Sequence, residues 1–509
     1  MTDQIRRILK DRGPCLSSTL AQDLAARAGI SLEAARQRVH RSEGVSRLKG
    51  IPFERNARFT YLDEQYGTAA FWSALTTALL EKSKAYGPAL AALRARAGVM
   101  PRAHFESASG APVRQKGHVG AETVLERLKA ANLVREFDIP GIGTCVALSQ
   151  GTEISSGSVS RLKARLVAEQ VLLQAVHNWA RNLAVGSSAR IEHRGAGDKL
   201  PQVGTFCWDL AAPSYLAPLR TDRKGQRPHP GFFVCDVLLG HAMTLESIAP
   251  FLHKCTTLSM LKKVGRTLHM FVASEFSPEA FQKLREIGVV PATVENLFGR
   301  ELAAAFTQLI QVLSQAAAQL TDVEKFLELF TRLTQIEGAF GAMRGAFFEM
   351  ITAEVLRRRY PNAQVSMNLL VHTEDGSAEI DVLVRSNRDL VAVECKAPRP
   401  GGTVDDDEVD KWLHRRLPVV RRFAERQFDL RDMRQHFLLW TTGRLTENAR
   451  TAVRHFNELR RSGLYELHVL EGKEVLAEAQ RADATALVGL LKRHYLPADD
   501  HNERATGST

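Results

Sequence analysis

A short hairpin near the C-terminal end, with acids set into an apolar ribbon, narrows the possible folds more than any other stretch of the chain. Residues 377–385 read SAEIDVLVR and residues 390–396 read LVAVECK, two β-rich runs joined through Ser386, Asn387, Arg388 and Asp389. Ile380, Val382 and Val384 alternate with Asp381 and Leu383. Glu394 and Lys396 stand two apart, so their side chains leave the same face. With Asn387 and Arg388 as a two-residue loop, Ser386 pairs with Asp389, and counting back sets Asp381 directly opposite Glu394. Asn-Arg is not an ideal two-residue turn, so a four-residue loop is the alternative. Directly opposed β-carbons lie about 4.5–5.5 Å apart. Two carboxylates at that spacing repel unless a cation sits between them, and a hard divalent ion with oxygen ligands suits that place. The competing reading is a structural ion pair among Asp381, Glu394 and Lys396 at a sheet edge.

The whole chain, at 509 residues, is long enough to build several domains of about 150 residues each. Its 44% hydrophobic and 25% charged residues exclude a wholly disordered protein. No run of about 18 apolar residues offers a transmembrane helix, so no membrane partner is expected. The opening MTDQIRRILKDRG lacks the apolar stretch of a secretory signal. Six scattered cysteines without a CxxC pair argue against a zinc ribbon or a disulfide framework and suit a reducing, cytoplasmic setting. With 68 Lys and Arg against 57 Asp and Glu, the formal charge of +11 points to a polyanionic partner, nucleic acid first.

Residues 1–66 read as three helices and a two-stranded wing, a winged-helix arrangement. Helices are expected at 3–10, at 20–28 behind Ser17 and Ser18 as caps, and after Ser31. Strands are expected at 45–48 and 58–62. The third helix carries Arg36, Gln37, Arg38, His40 and Arg41, several on one outward face, where a recognition helix meets the major groove. The wing adds Arg47, Lys49, Arg55 and Arg58. The alternative is a solvated face on a protein-binding module. Residues 67–149 read as a second winged-helix-like domain, with helices at 71–85, 87–97 and 121–131, a flexible loop at 107–118 and a wing from 133–137 and 143–148. Residues 150–158 read as a linker.

Residues 159–300 and 331–490 look like two copies of one α/β unit. They open with helices at 162–182 and 345–359, and each ends a β run in small hydroxyl residues just before a helix. Between them, residues 301–330 are expected as a connecting helix. Its stripe of Leu302, Phe306, Leu309, Leu313 and Leu320 serves an interdomain core, with self-association the alternative. Residues 497–509 are polar and expected to be disordered.

In the second copy, Asp381, a short spacer and Glu394-Cys395-Lys396 resemble the D–(D/E)xK signature of the PD-(D/E)xK nuclease superfamily. The order helix, three strands, helix, strand is similar to the restriction-endonuclease core. Phe348-Glu349 in GAFFEMITAEVLRRRY matches the helix glutamate of many members, and the segment looks most like the Mrr-type restriction endonucleases. Ile380 stands where the family name writes proline. The resemblance implies a multidomain α+β protein: a tandem winged-helix region, then two restriction-endonuclease-like α/β domains, the first degenerate and the second intact. It implies Asp381 and Glu394 as metal ligands, the Cys395 main-chain carbonyl as a third, and Glu349 reaching the ion directly or through water. Lys396 would hold and polarise the attacking water, with Mg²⁺ (or Mn²⁺) as cofactor. The implied activity is metal-dependent endonucleolytic hydrolysis of DNA, in prokaryotic restriction or anti-phage defence. One good site cuts one strand, so a double-strand cut needs a homodimer or two visits. Two competing functions stand beside it: a DNA-binding regulator with an inactive nuclease fold, and a nuclease subunit acting only with a protein partner in a defence complex.

In the first copy, Glu169 would match the helix glutamate, Asp209 the first ligand and Asp236 the second acid, but Leu238 stands where lysine belongs. That copy reads as a pseudo-nuclease, with a basic loop at 220–230. After the hairpin of the second copy, Arg415, Arg416, Arg421 and Arg422 fall on a helix that would run along phosphates, kinked at Pro418. The acids Asp405 to Glu408 suit that helix's N-terminus rather than a second metal site. GAFGAMRG lacks the GK[ST] of an ATP-binding loop.

Overall fold

A computed structural model describes residues 2–497 except 52, 54–55, 83–84, 150–151, 153, 196–198, 222–227, 262–263, 316–322 and 459–464. The chain forms two compact units, Met1–Glu153 with Leu172–Ala304, and Ile154–Val171 with Ala305–Thr509. No helix among the described residues is long and apolar enough to cross a membrane. All six cysteines are buried free thiols.

The first unit begins with helices Thr2–Arg12, Ser17–Ala28 and Leu32–Arg41. Ile5, Ile8, Leu9, Leu20, Leu24, Ala35 and Val39 meet in one small core, the apolar stripes that each helix turns inward. Ser31 caps the third helix, its hydroxyl accepting from the Ala34 N–H at 3.2 Å. Ser17 and Ser18 do not cap the second. The helix already starts at Ser17, and the Ser17 hydroxyl accepts instead from the Arg58 N–H at 3.0 Å. Strands Cys15–Leu16, Ser46–Arg47 and Phe59–Tyr61 form an antiparallel sheet with the last in the middle.

Helices Ala69–Lys82, Tyr86–Arg94 and Ala121–Ala130 follow, with strands Val99–Pro101, Val134–Ile139 and Gly143–Leu148. Leu48, Phe53 and Phe59 share one core with Phe71, Leu90, Leu125 and Val146, so no break in packing falls at residue 66. Of the loop expected to be flexible at 107–118, the first half is packed away: residues 107–112 are buried, while 113–118 are mostly exposed. At Gly110 (φ +76) an added Cβ would lie 2.7 Å from the Pro250 carbonyl, so glycine there serves a close backbone approach rather than mobility.

Five strands, Glu192–His193, Leu210–Ser214, Gly231–Met243, Thr267–Phe276 and Val290–Thr293, hydrogen-bond in chain order. The first two junctions are antiparallel and the last two parallel, with helices Leu245–Ser259 and Pro278–Glu286 as crossovers. In the second unit Gln364–Thr373, Gly376–Arg385, Asp389–Lys396, Arg434–Thr441 and Tyr465–Leu470 repeat that order and those directions. Helix Ala339–Arg359 precedes this sheet. Leu383, Leu390 and Ala392 of the hairpin share a core with Leu413, Leu417, Val420 and Ala424 that follow it.

The long helix Ser156–Asn182 starts inside the expected linker. There the Ser155 hydroxyl accepts from the Ser158 N–H and the Ser158 hydroxyl from the Ser155 N–H. The stretch expected as one connecting helix holds two, Arg300–Gln315 and Val323–Thr334. Phe306, Leu309 and Leu313 are buried as the stripe requires, while Leu320 and the tail 498–509 lie outside the described residues.

Candidate active site

The hairpin register follows from its turn. The Ser386 N–H donates to the Asp389 carbonyl at 2.9 Å, leaving Asn387 and Arg388 at the tip. The Ser386 hydroxyl accepts from the Asp389 N–H at 2.9 Å, side-chain support for a turn without glycine. Pairing runs Arg385–Leu390, Val384–Val391, Leu383–Ala392 and Val382–Val393. The next step of that register sets Asp381 against Glu394. Here a carboxylate takes over from the main chain: Asp381 Oδ2 accepts from the Cys395 N–H at 2.7 Å. The Thr442 N–H donates to the Lys396 carbonyl at 3.1 Å, so that carbonyl faces the neighbouring parallel strand. Main-chain groups alternate sides along a strand. The Cys395 carbonyl therefore faces the Asp381 side, together with its own N–H.

Glu394 is 5% exposed. Its Oε1 meets the Lys396 Nζ at 3.0 Å and the Arg416 guanidinium. Lys396 also reaches Glu408 at 2.9 Å, and Lys411 holds the other oxygen of Glu408 at 3.1 Å. Glu379, two residues before Asp381, pairs with Lys163. Burial, then the neighbouring Asp381, pushes Glu394 up to about 7. Glu349 keeps part of its surface open to solvent, yet it is packed closely enough that burial and then Asp381 push it up to about 8. Burial also raises Glu379, opposed by Lys163. Burial works against the Lys396 ammonium, but Glu394 and Asp381 outweigh it and hold the charge firmly. Glu408 is held down to about 2: burial opposes this, and the hydrogen bond from Lys396 prevails.

Carboxylates in low dielectric thus crowd three cations, Lys163, Lys396 and Arg416, with more negative charge than neutral pH sustains. Among the described residues no three His, Cys, Asp or Glu side chains close on one point as a preformed metal cage. A cation here would rest on fewer carboxylates, a main-chain carbonyl and water, which is how Mg²⁺ is usually held.

Of the positions singled out in the sequence, Asp381, Glu394, Cys395, Lys396 and Glu349 fall in this cluster. Arg416 points inward at Glu394 instead of along phosphates, and Arg421 and Arg422 pair with Glu425 and with Glu374 and Asp375. The expected kink is a π turn over Trp412–Arg416, with Pro418 in the first turn of the following helix. In the N-terminal helices Arg36, Gln37, Arg38, His40, Arg41, Lys49 and Arg58 are exposed, and Arg55 lies outside the described residues. Arg47 is a correction. Its guanidinium donates to the carbonyls of Val39, His40, Ser42 and Val45, so it ties down the end of the third helix. Sequence reasoning missed Glu379, Arg416, Glu408 and Lys163 as members of the cluster. The period-two spacing of Glu379 and Asp381 was the one readable signal among them.

The first unit carries the same hairpin geometry with a different filling. Pairing there reaches Leu210–Cys235, which sets Asp209 against Asp236, and Asp209 Oδ2 accepts from the Val237 N–H at 3.0 Å. Leu238 stands at the Lys396 position, and Lys254 from the following helix reaches Asp236 at 2.5 Å. Lys254 is fully buried, donates to the carbonyls of Ser107 and Cys207, and sits 4.1 Å over the Trp208 ring. Arg194 lies 3.3 Å from Asp209, and the Ser107 hydroxyl covers the same carboxylate at 3.1 Å. Burial raises Asp236 to about 6 against the pull of Lys254. Glu169 pairs with Arg165 in the stretch of helix that belongs to the second unit. Of the basic loop at 220–230, residues 222–227 lie outside the described residues.

A family model, NERD or nuclease-related domain, matches residues 344–437, the span that holds Glu349, the hairpin and Arg416. No curated protein matches the chain. Three solved structures resemble it in part. A protein of unknown function, AF1548, is 16% identical over 26% of this chain and 66% of its own, with a TM-score of 0.18. Protein VC1899 from Vibrio cholerae is 17% identical over 33% and 44%, with a TM-score of 0.20. The MspJI restriction endonuclease in complex with a 27-mer oligonucleotide is 14% identical over 42% and 48%, with a TM-score of 0.20. The chain covers less than two thirds of each.

Proposed function

We propose that the cluster around Asp381 and Glu394 is the active site of a metal-dependent endodeoxyribonuclease. One observation carries this reading. The hairpin pairing gives way where Asp381 faces Glu394, and a firmly charged Lys396 stands 3.0 Å from Glu394 in the same cluster. The nuclease-related match over residues 344–437 supports it independently. Asp381, Glu394 and the Cys395 carbonyl would hold Mg²⁺ or Mn²⁺, with Glu349 acting directly or through water. Such an ion, when bound, supplies charge neutralisation and a more acidic water. The chain's own groups do the remainder. Lys396 donates a hydrogen bond that orients the attacking water, and its charge offsets the negative charge growing on the phosphate. Arg416 keeps Glu394 oriented from the helix side. The exposed Arg36, Gln37, Arg38, His40, Arg41 and Arg58 would meet DNA in the winged-helix manner. A homodimer would supply the second cut, and a place in restriction or anti-phage defence extends the same reading.

Arg416 seated on Glu394 favours a second reading, a resting nuclease subunit that needs a partner or DNA to draw the guanidinium away. The purified chain incubated with plasmid and Mg²⁺ or Mn²⁺, beside Lys396→Ala and Asp381→Ala, tests both. Metal-dependent nicking lost in each variant is expected. Cleavage unchanged by both substitutions excludes the assigned site. No cleavage by the unaltered chain, with tight salt-sensitive DNA binding, favours the partner-dependent subunit or a regulator.

A further inference from the structure

The second unit also holds a cleft of about 690 Å³ that none of Glu349, Asp381, Glu394 or Lys396 lines. It opens at the carboxyl ends of two parallel strands. Thr442 and Gly443 follow Arg434–Thr441, and Glu471 and Gly472 follow Tyr465–Leu470. Open α/β sheets bind ligands at such strand ends. Five cations and two acids line the cleft, and both acids are already engaged. Glu471 accepts from the Leu445 N–H at 3.0 Å and pairs with Arg450 at 2.7 Å. Glu474 accepts from the Glu471 N–H at 2.8 Å. The other four cations, Arg444, Arg454, Lys473 and Lys492, are exposed and have no ion-pair partner among the described residues. Like charges gathered at one cleft repel one another, and a bound polyanion relieves that repulsion.

Charge selects the phosphate, and the remaining space selects what carries it. Val453, Val469, Leu476 and Leu496 give the cleft apolar surface that a bare phosphate would leave uncovered. The volume is that of a site for an organic ligand, roughly 300–1,000 Å³. A planar base against the aliphatic side chains, with phosphates on the arginine forks and lysines, satisfies both parts. We propose that this cleft binds a nucleotide through its phosphates, either free or as the phosphorylated end of a nucleic-acid strand. The proposal does not depend on the acidic cluster being a nuclease.

Calorimetric titration of the full chain in EDTA tests it, with ATP, AMP, inorganic phosphate, and thymidine hexamers with and without a 5′-phosphate. Two variants accompany it: Arg454→Glu with Lys473→Glu, which reverses exposed charge, and Leu476→Trp, which fills the cleft and keeps the charge. Thermal melts check that each variant folds. Saturable binding of ATP or of the 5′-phosphorylated hexamer, weakened at least tenfold by both variants, is expected. ATP and AMP alone identify a free nucleotide; the 5′-phosphorylated hexamer alone identifies a strand end. No saturable binding, inorganic phosphate binding as tightly as the nucleotides, or affinity unmoved by both variants overturns the proposal. Plasmid cleavage, scored separately with Mg²⁺, keeps a failure here distinct from a failure of the nuclease reading.

Discussion

Lys396 and Arg416 both touch Glu394, but they arrive from different elements and their removal should differ in effect. Lys396 shares a strand face with Glu394, so Lys396→Ala removes charge from the proposed reacting centre. Removing one such electrostatic donor typically costs about 10²–10³ in rate, and that fall in kcat for plasmid nicking is expected with KM little changed. Arg416→Ala leaves that ammonium in place and should act mainly on metal affinity, read as a shift in the Mg²⁺ concentration for half-maximal nicking. Proton binding gives a second test. Glu349 and Glu394 hold their protons up to about 8 and about 7 in the folded chain, against an ordinary value of 4.5. The folded chain thus binds more protons than the unfolded one across that window. Stability must fall as pH rises from about 5 to 8 and level off above. The melting temperature in EDTA should follow this course. Mg²⁺ added at pH 8 should raise it, and Asp381→Ala should abolish the rise. A melting temperature that climbs across the window would contradict the buried carboxylate cluster.

At the scale of elements, the hairpin was legible because a strand has period two and a turn fixes its origin. Once Asn387 and Arg388 form the tip, the placing of Asp381 opposite Glu394, one step beyond the last pair Val382–Val393, is counting. Arg416 was not legible in the same way, because the π turn Trp412–Arg416 changes the helical phase and directs the guanidinium inward. Lys163 stands 216 positions from its partner Glu379, and no local pattern links them. Ser107, Ser109 and Gly110 mislead for a different reason: small residues signal close packing as readily as mobility. Their packing gives the first sheet its own prediction. Lys254 is fully buried against Asp236, and removing one partner of a buried pair costs about 3–5 kcal/mol. Lys254→Met should therefore destabilise the first unit on urea denaturation. The destabilisation should shrink as pH falls towards 6, because without the Lys254 charge Asp236 takes up its proton above the value of about 6 that it has beside Lys254. Adding Asp236→Leu should restore much of the stability. Equal destabilisation at pH 5 and pH 8 would mean that packing, not charge, is what Lys254 contributes.

Over the whole molecule, a formal charge of +11 says little until the cations are sorted by what they already hold. Arg47 is spent on main-chain carbonyls, and Lys163, Lys396 and Arg416 are spent on buried carboxylates. Arg38, His40, Arg41 and Arg58 remain exposed on the N-terminal helices and strands, and a polyanion released of its counterions would be felt there. Each phosphate that the protein ceases to neutralise flattens the slope of log K against log salt by about 0.9. Arg38→Ala with Arg41→Ala should weaken binding of a duplex and flatten that slope by about 0.9 to 1.8, one or two phosphates, while nicking at saturating DNA stays near its original rate. Arg47→Ala should do the opposite, lowering the melting temperature with the slope unchanged, because its partners are carbonyls and not phosphates. Fluorescence anisotropy of a labelled duplex at several salt concentrations separates the two. If the double substitution leaves the slope where it was, DNA does not lie on the third helix, and the exposed arginines there are a solvated face.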